Sequence, residues 1–175
     1  LGADYYGASL HKWLGAPLGA GILYVRRDRI EKLWPIYSEE GAALGEIRKL
    51  NHTGTIPCHT DLGIENAIAF HESIGIARKE ARLRWLQQYW TTQVRGKPRI
   101  LLNTPSDPGR SCAIANVGID GMTPTDLART LFDRYRVWTV AINNAGVHGV
   151  RVTPHLFTTT AELDVLVKAL NELSA

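Results

Sequence analysis

The chain changes texture along its length, and the spacing of its apolar residues marks the change. Up to about Cys58 it is rich in glycine and short apolar runs. GAGILYV, Gly19 to Val25, has the pattern of a buried strand bounded by glycines. RDRIEKLWPI begins with helical spacing until Pro35 stops it, and Glu39 to Pro57 reads as loop. From about Thr60 a long helical pattern follows, with apolar positions at Leu62, Ile64, Ala67, Ile68, Phe70, Ile74, Ala77, Leu83, Leu86 and Tyr89 and a break or bend near Gly75. Such a helix can join two domains.

Beyond Gly96, RILLNTP, CAIANVGI, VWTVAI and GVRVTPHLF predict strands separated by helices. Thr123, Pro124 and Asp126 form a helix start for TDLARTLFDRY, with threonine at the cap, proline in the first turn and an acid three residues after the cap. Thr159 and Glu162 repeat the device before LDVLVKALNEL. Residues 96–175 therefore predict a small α+β domain hung on a helical segment, 59–95. The pattern does not give its strand order.

Composition narrows the class. Of 175 residues 45% are apolar and 21% charged, which is a globular balance rather than a disordered one. The net charge of +3 comes from twenty basic residues scattered among seventeen acids, so no nucleic-acid footprint is expected. The two cysteines, Cys58 and Cys112, lie far apart without metal-ligand spacing, which supports neither a disulfide framework nor a metal site. A reducing, cytoplasmic setting fits that usage. No apolar run approaches the ~20 residues that span a bilayer, so no membrane partner is expected, and LGADYY reads as a cut N-terminus.

The candidate chemistry begins at SLHKWLGAPLGAG, Ser9 to Gly21. In a Walker A loop the glycines precede the lysine, whereas here they follow it, and the GAPLGAG spacing also fails the GxGxxG fingerprint. Taken alone, Lys12 is a solvated surface charge, Ser9 a turn hydroxyl and His11 a packed imidazole. Trp13, Leu14 and the GILYV strand change that expectation for Lys12, because a lysine hemmed in by them would be desolvated. Desolvation favours the neutral, nucleophilic amine that forms a Schiff base.

ADYYGASLHKWLGAPLGAGILYVRRDRI resembles the cofactor-lysine segment of the class V aminotransferases, a branch of the fold type I pyridoxal-phosphate enzymes that includes cysteine desulfurases, kynureninases and isopenicillin N epimerase. The HKW followed by a Gly-Ala-Gly strand is most similar to the isopenicillin N epimerase-like group. The resemblance implies that Lys12 carries pyridoxal 5′-phosphate and shuttles the substrate α-proton, and that Ser9 and His11 hydrogen-bond the cofactor phosphate. Asp4, placed with the strand leading to the lysine, is expected to be structural. HTGTIPCHTDLGIENAIAFHESIG resembles the segment in which a Gly-Thr pair, here Gly54 and Thr55, reaches the phosphate of the neighbouring subunit's cofactor; that implies a homodimer. An ordinary loop Gly-Thr is the plainer alternative. GVRVTPHLFTTTAELDVLVKAL resembles the strand whose arginine, here Arg151, clamps the substrate α-carboxylate; His155 receives no role.

The resemblance implies an α/β and α+β fold, the C-terminal part of a fold type I transferase. Residues 1–58 are then a remnant of the large cofactor-binding domain, 59–95 the interdomain helical segment and 96–175 the small domain. Family members carry a further N-terminal stretch that supplies the aspartate for the pyridine nitrogen and the stacking ring, so the chain by itself is expected to be inactive. The implied activity is pyridoxal-phosphate chemistry at the α-carbon of an amino acid: epimerisation, transamination or lyase. Cysteine desulfurases place a nucleophilic cysteine on a small-domain loop ahead of the clamp arginine, and RVWTVAINNAGVHGVR has none, which disfavours that activity. A non-catalytic interaction domain descended from such an enzyme is the alternative from another class. Retention of Ser9, His11, Lys12 and Arg151 together argues against it, since such groups are costly to bury without a ligand.

Overall fold

Gly75 divides the long helical stretch into α1 (Cys58–Ile74) and α2 (Ile76–Val94). Its φ of +86° lies in the left-handed region, which glycine enters without steric penalty, so the break expected there is present. The computed structural model describes residues 2–37, 41–51, 54 and 58–175. Two units, Leu1–Ile74 and Gly75–Ala175, each hold together through their own contacts.

In the first unit β1 (Tyr5–Ser9) runs antiparallel to β2 (Gly21–Val25), with Tyr5 opposite Val25 and Ser9 opposite Gly21. Among the described residues these strands pair only with each other. The buried strand expected at GILYV is therefore corrected. Ile22, Leu23 and Tyr24 are 48, 55 and 49% exposed and Val25 alone is buried, since among the described residues the ribbon has no further strand beside it. Asp4 is structural, as expected. Its carbonyl accepts from Arg26 N–H at 2.8 Å, and its carboxylate pairs with Arg26 Nη1 at 2.5 Å and Arg29 Nε at 3.4 Å. The helical start at RDRIEK is a short 3-10 turn, Arg27–Lys32, and a second such turn, Ile47–Leu50, interrupts the stretch read as loop.

The second unit is an antiparallel sheet of β3 (Ile100–Leu102), β4 (Ala115–Ile119), β5 (Val140–Asn144) and β6 (Val147–Val152) in the order β3-β4-β6-β5. With α2 it is completed by α3 (Pro124–Tyr135) and α4 (Thr160–Ser174). Alternation sends Ala115, Val117 and Ile119 of β4 and Val150 and Val152 of β6 into one core with Trp90, Leu131 and Leu170 from the helices. Full burial of each large side chain stabilises by roughly 1.5–3 kcal/mol. Both predicted helix starts form. Thr123 Oγ1 accepts from Asp126 N–H at 3.1 Å, and Thr159 with Glu162 makes a reciprocal capping box. Between β5 and β6 the chain reverses through Ala145 and Gly146, at φ +51° and +75°, the tight hairpin turn with two left-handed residues.

Candidate active site

Ser9 ends β1, and the eleven-residue excursion from Leu10 to Ala20 carries His11 and Lys12 before the chain returns as β2. Leu10 N–H donates to Ala20 O at 3.0 Å, extending the ladder one step, and Ala16 N–H donates to Leu10 O at 3.1 Å, closing the loop on itself. Within it Gly15, at φ +75°, lets its N–H turn back to Lys12 O at 3.1 Å. The loop is seated on α1. Ala16, Ala20 and Ala67 are buried together, with Leu10, Leu14 and Ile64 packed around them.

Two α1 contacts fix that seat. Gly63 faces Pro17, and a β-carbon at 63 would overlap Pro17 Cγ and lie 2.8 Å from Cδ. His71, 8% exposed, meets Leu14 O through Nε2 at 2.7 Å. A carbonyl only accepts, so Nε2 carries the proton. Sequence pattern alone missed His71. The signal was present in the i, i+4, i+7, i+11 series Thr60, Ile64, Ala67, His71, which forms the inward face of α1, whereas the apolar Leu62 and Phe70 are 72 and 56% exposed.

On this loop Ser9 and Lys12 are exposed and His11 is half-buried. The exposed lysine corrects the expectation of an amine enclosed by Trp13 and Leu14. Leu14 turns inward to pack on α1, and Lys12 stands at the turn where the loop reverses. His11 Nδ1 is buried and has no hydrogen-bond partner among the described residues. A hydroxyl, an orphaned imidazole nitrogen and an ammonium thus lie within four residues, a donor set that suits a phosphate dianion beside an amine. The concavity of about 460 Å³ lined by Tyr5, Leu23, Trp34 and Leu50 does not include any of them. Gly54 is exposed with open space where a β-carbon would stand, and Thr55 lies outside the described residues.

Arg151 belongs to the second unit. It sits in β6 between buried Val150 and Val152, so alternation projects it from the sheet face opposite the core. It is exposed, and among the described residues its guanidinium makes no hydrogen bond or ion pair. Its cross-strand neighbours are Asn116 on β4 and Val140 on β5. The structure thus brings Ser9, His11 and Lys12 together on one loop, while Arg151 is defined within its own unit. Among the described residues no cluster of histidine, cysteine, aspartate or glutamate is arranged to hold a metal, and no helix is long and apolar enough to cross a membrane.

The profile of the family Aminotransferase class-V matches residues 1–162. The chain belongs to the class V aminotransferase family. It is 30% identical over 190 residues to the isopenicillin N epimerase of Amycolatopsis lactamdurans, covering 99% of this chain and 48% of that protein. The apo cysteine desulfurase of Thermococcus onnurineus NA1 superposes with a TM-score of 0.81 at 20% identity, over 98% of this chain and 47% of that one. A C-DES variant with glycine covalently linked to its PLP cofactor superposes with a TM-score of 0.80 at 21% identity, over 97% of this chain and 46% of that one. The chain spans about half the length of each of these proteins. The fold is accordingly a partial α/β fold of the fold type I pyridoxal-phosphate enzymes, as the sequence led us to expect.

Proposed function

We propose that this class V chain is part of a pyridoxal-phosphate enzyme acting at the α-carbon of an amino acid, with Lys12 as the cofactor-bearing base. The observation that carries the proposal is the Ser9–Lys12 loop: an exposed amine, a free hydroxyl and the orphaned His11 Nδ1, held against α1 by His71. When bound, the cofactor supplies an electron sink for charge developing at the α-carbon. Ser9 Oγ and His11 would donate to the phosphate and hold it beside the lysine. Lys12 Nζ would carry the coenzyme, and its amine would take and return the α-proton. Arg151 offers a planar fork of N–H donors to the substrate carboxylate, a geometry lysine does not copy.

Gly54 and Thr55 are proposed to contact the phosphate bound by a second copy, which makes the working unit a homodimer in the cytoplasm. The chemistry at the α-carbon is assigned to the epimerase, transaminase or lyase class rather than to desulfuration. In favour of this, Ala145 and Gly146 close β5 onto β6 as a tight turn with no cysteine in it. Because the chain spans about half the length of the relatives it matches, activity is proposed for a protein of the relatives' full length.

Borohydride reduction of the full-length protein with pyridoxal phosphate, followed by peptide mass spectrometry, tests the assignment. The expected result is a pyridoxyl adduct on the peptide containing Lys12 that is lost in Lys12→Ala. An unlabelled Lys12 peptide overturns it.

A further inference from the structure

On the open face of the four-stranded sheet, Asn103, Asn116, Arg151 and Val140 stand in one row. Asn116 is the cross-strand partner of Arg151, Arg151 of Val140, and Asn103 N–H donates to Asn116 O at 3.0 Å. Directly opposed residues share a face, with β-carbons about 4.5–5.5 Å apart. The row therefore sets Asn116 beside Arg151, whose guanidinium has no partner among the described residues.

The orientation of the Asn116 carboxamide follows from a chain of hydrogen bonds. His148 O can only accept, so the Asn103 group 3.0 Å from it is the NH2. The same NH2 donates at 2.6 Å to Asn116, whose contacting atom is therefore Oδ1. What remains of the Asn116 side chain is its own NH2, which is buried and has no acceptor among the described residues. The backbone is pinned as well, since Asn116 N–H donates to Thr104 Oγ1 at 2.8 Å. Gly149 lets the strands approach here: a β-carbon there would lie 2.5 Å from Val117 O and 2.6 Å from Asn116 Oδ1.

A buried amide donor without an acceptor is a standing cost, and this one is held by Asn103 and Thr104 next to an arginine with no partner among the described residues. We infer that Asn116 is a second carboxylate-binding donor, its Nδ2–H bonding one oxygen of the carboxylate that Arg151 holds. The inference rests on the proposal that Arg151 takes the substrate carboxylate. It adds an explanation for the Asn103–Asn116 arrangement, which the arginine alone does not require. A ligand oxygen arriving at Nδ2 meets a donor already shielded from water, where a charge-assisted hydrogen bond is strong.

The test uses the full-length protein, with propionate as the probe and propionamide as its uncharged control, followed by NMR of side-chain N–H groups. Propionate, and not propionamide, is expected to move the Asn116 NH2 signals together with the Arg151 Nε–H. Asn116→Leu should weaken propionate binding on the order of tenfold. Asn116→Asp keeps the shape, guards against a folding defect in the leucine variant, and should weaken binding further by charge repulsion. If Arg151→Lys abolishes propionate binding while both Asn116 variants bind like the parent, the role of Asn116 is overturned and that of Arg151 stands. If Arg151→Lys binds propionate unchanged, both fall.

Discussion

Gly75–Ala175 gathers many of its large apolar side chains into one core, whereas Leu1–Ile74 leaves most of its described ones exposed. Leu86, Trp90, Leu131 and Leu170 are fully buried in the second unit, whereas Leu18, Trp34 and Ile36 of the first are 84, 89 and 90% exposed. One unit is held by a contiguous core drawn from helices and sheet. The other is held by a two-stranded ladder, the Asp4–Arg26–Arg29 ion pairs and a seam of alanines against α1. The proposed chemistry is divided between them: the arginine stands on the consolidated sheet, and the lysine loop depends on a few close contacts. Stability and reactivity should therefore respond to different substitutions.

The largest effect tests the core. Leu131→Ala should cost about 2–5 kcal/mol in urea denaturation, because a fully buried leucine leaves a cavity. Leu14→Ala, which trims a half-buried leucine at the lysine loop, should cost roughly 1–2 kcal/mol. Equal losses would break the contrast between the units.

The same contrast explains what could be read from the sequence. Elements whose apolar spacing matches their burial were legible: α3 and α4 with their caps at Thr123 and Thr159, and the strands around Val117 and Val150. The break at Gly75 was legible because glycine enters the left-handed region that ends a helix, whereas Gly63, in the same pattern, stays helical and makes room for Pro17. Where burial does not follow hydrophobicity, the pattern misled. GILYV has a core strand's composition but lies exposed in a ribbon, and α1 turns Thr60, Ala67 and His71 inward rather than Leu62 and Phe70. Of the candidate site, the family motif pointed to Ser9, His11, Lys12 and Arg151. The supporting residues His71, Asn103 and Asn116 act across 57, 13 and 35 positions of chain, and no local periodicity carries such pairings.

A further effect sharpens the account of the lysine loop, and its sign is informative. Gly63→Ala inside a free helix would stabilise by roughly 0.5–1 kcal/mol. At α1 the added carbon collides with the ring of Pro17, which is no flexible chain end. The overlap should reverse the sign and destabilise by about 1–3 kcal/mol in thermal or urea unfolding. In the full-length protein it should also weaken pyridoxal-phosphate retention, since the loop loses its seat. A stabilised Gly63→Ala protein would mean that Pro17 does not bear on α1.

The smallest effect is a pH dependence that differs between the units. In the second, the Glu162 carboxylate accepts from Thr159 N–H at 2.8 Å and Thr159 Oγ1 at 2.9 Å, and the backbone bond above all holds its pKa below the usual 4.5. In the first, the hydrogen bond from Arg26 holds Asp28 down to about 2 from an ordinary 3.8. Both folded values are depressed, so each carboxylate contributes stability that is fully present above its unfolded pKa and is lost as pH falls through the folded one. Loss at the α4 cap should therefore begin near pH 4.5, and loss at Asp28 near pH 3.8, continuing to about 2. Both groups are exposed, so the effects are small and salt-sensitive. Glu162→Gln retains an acceptor oxygen for the capping box but does not titrate. Its stability deficit against the parent should be constant at neutral pH and close as the pH drops below 4.5. Carboxyl NMR titrations of the parent and of Glu162→Gln at two ionic strengths check this; a Glu162 midpoint at or above 4.5 would show that the charged capping box contributes nothing to α4.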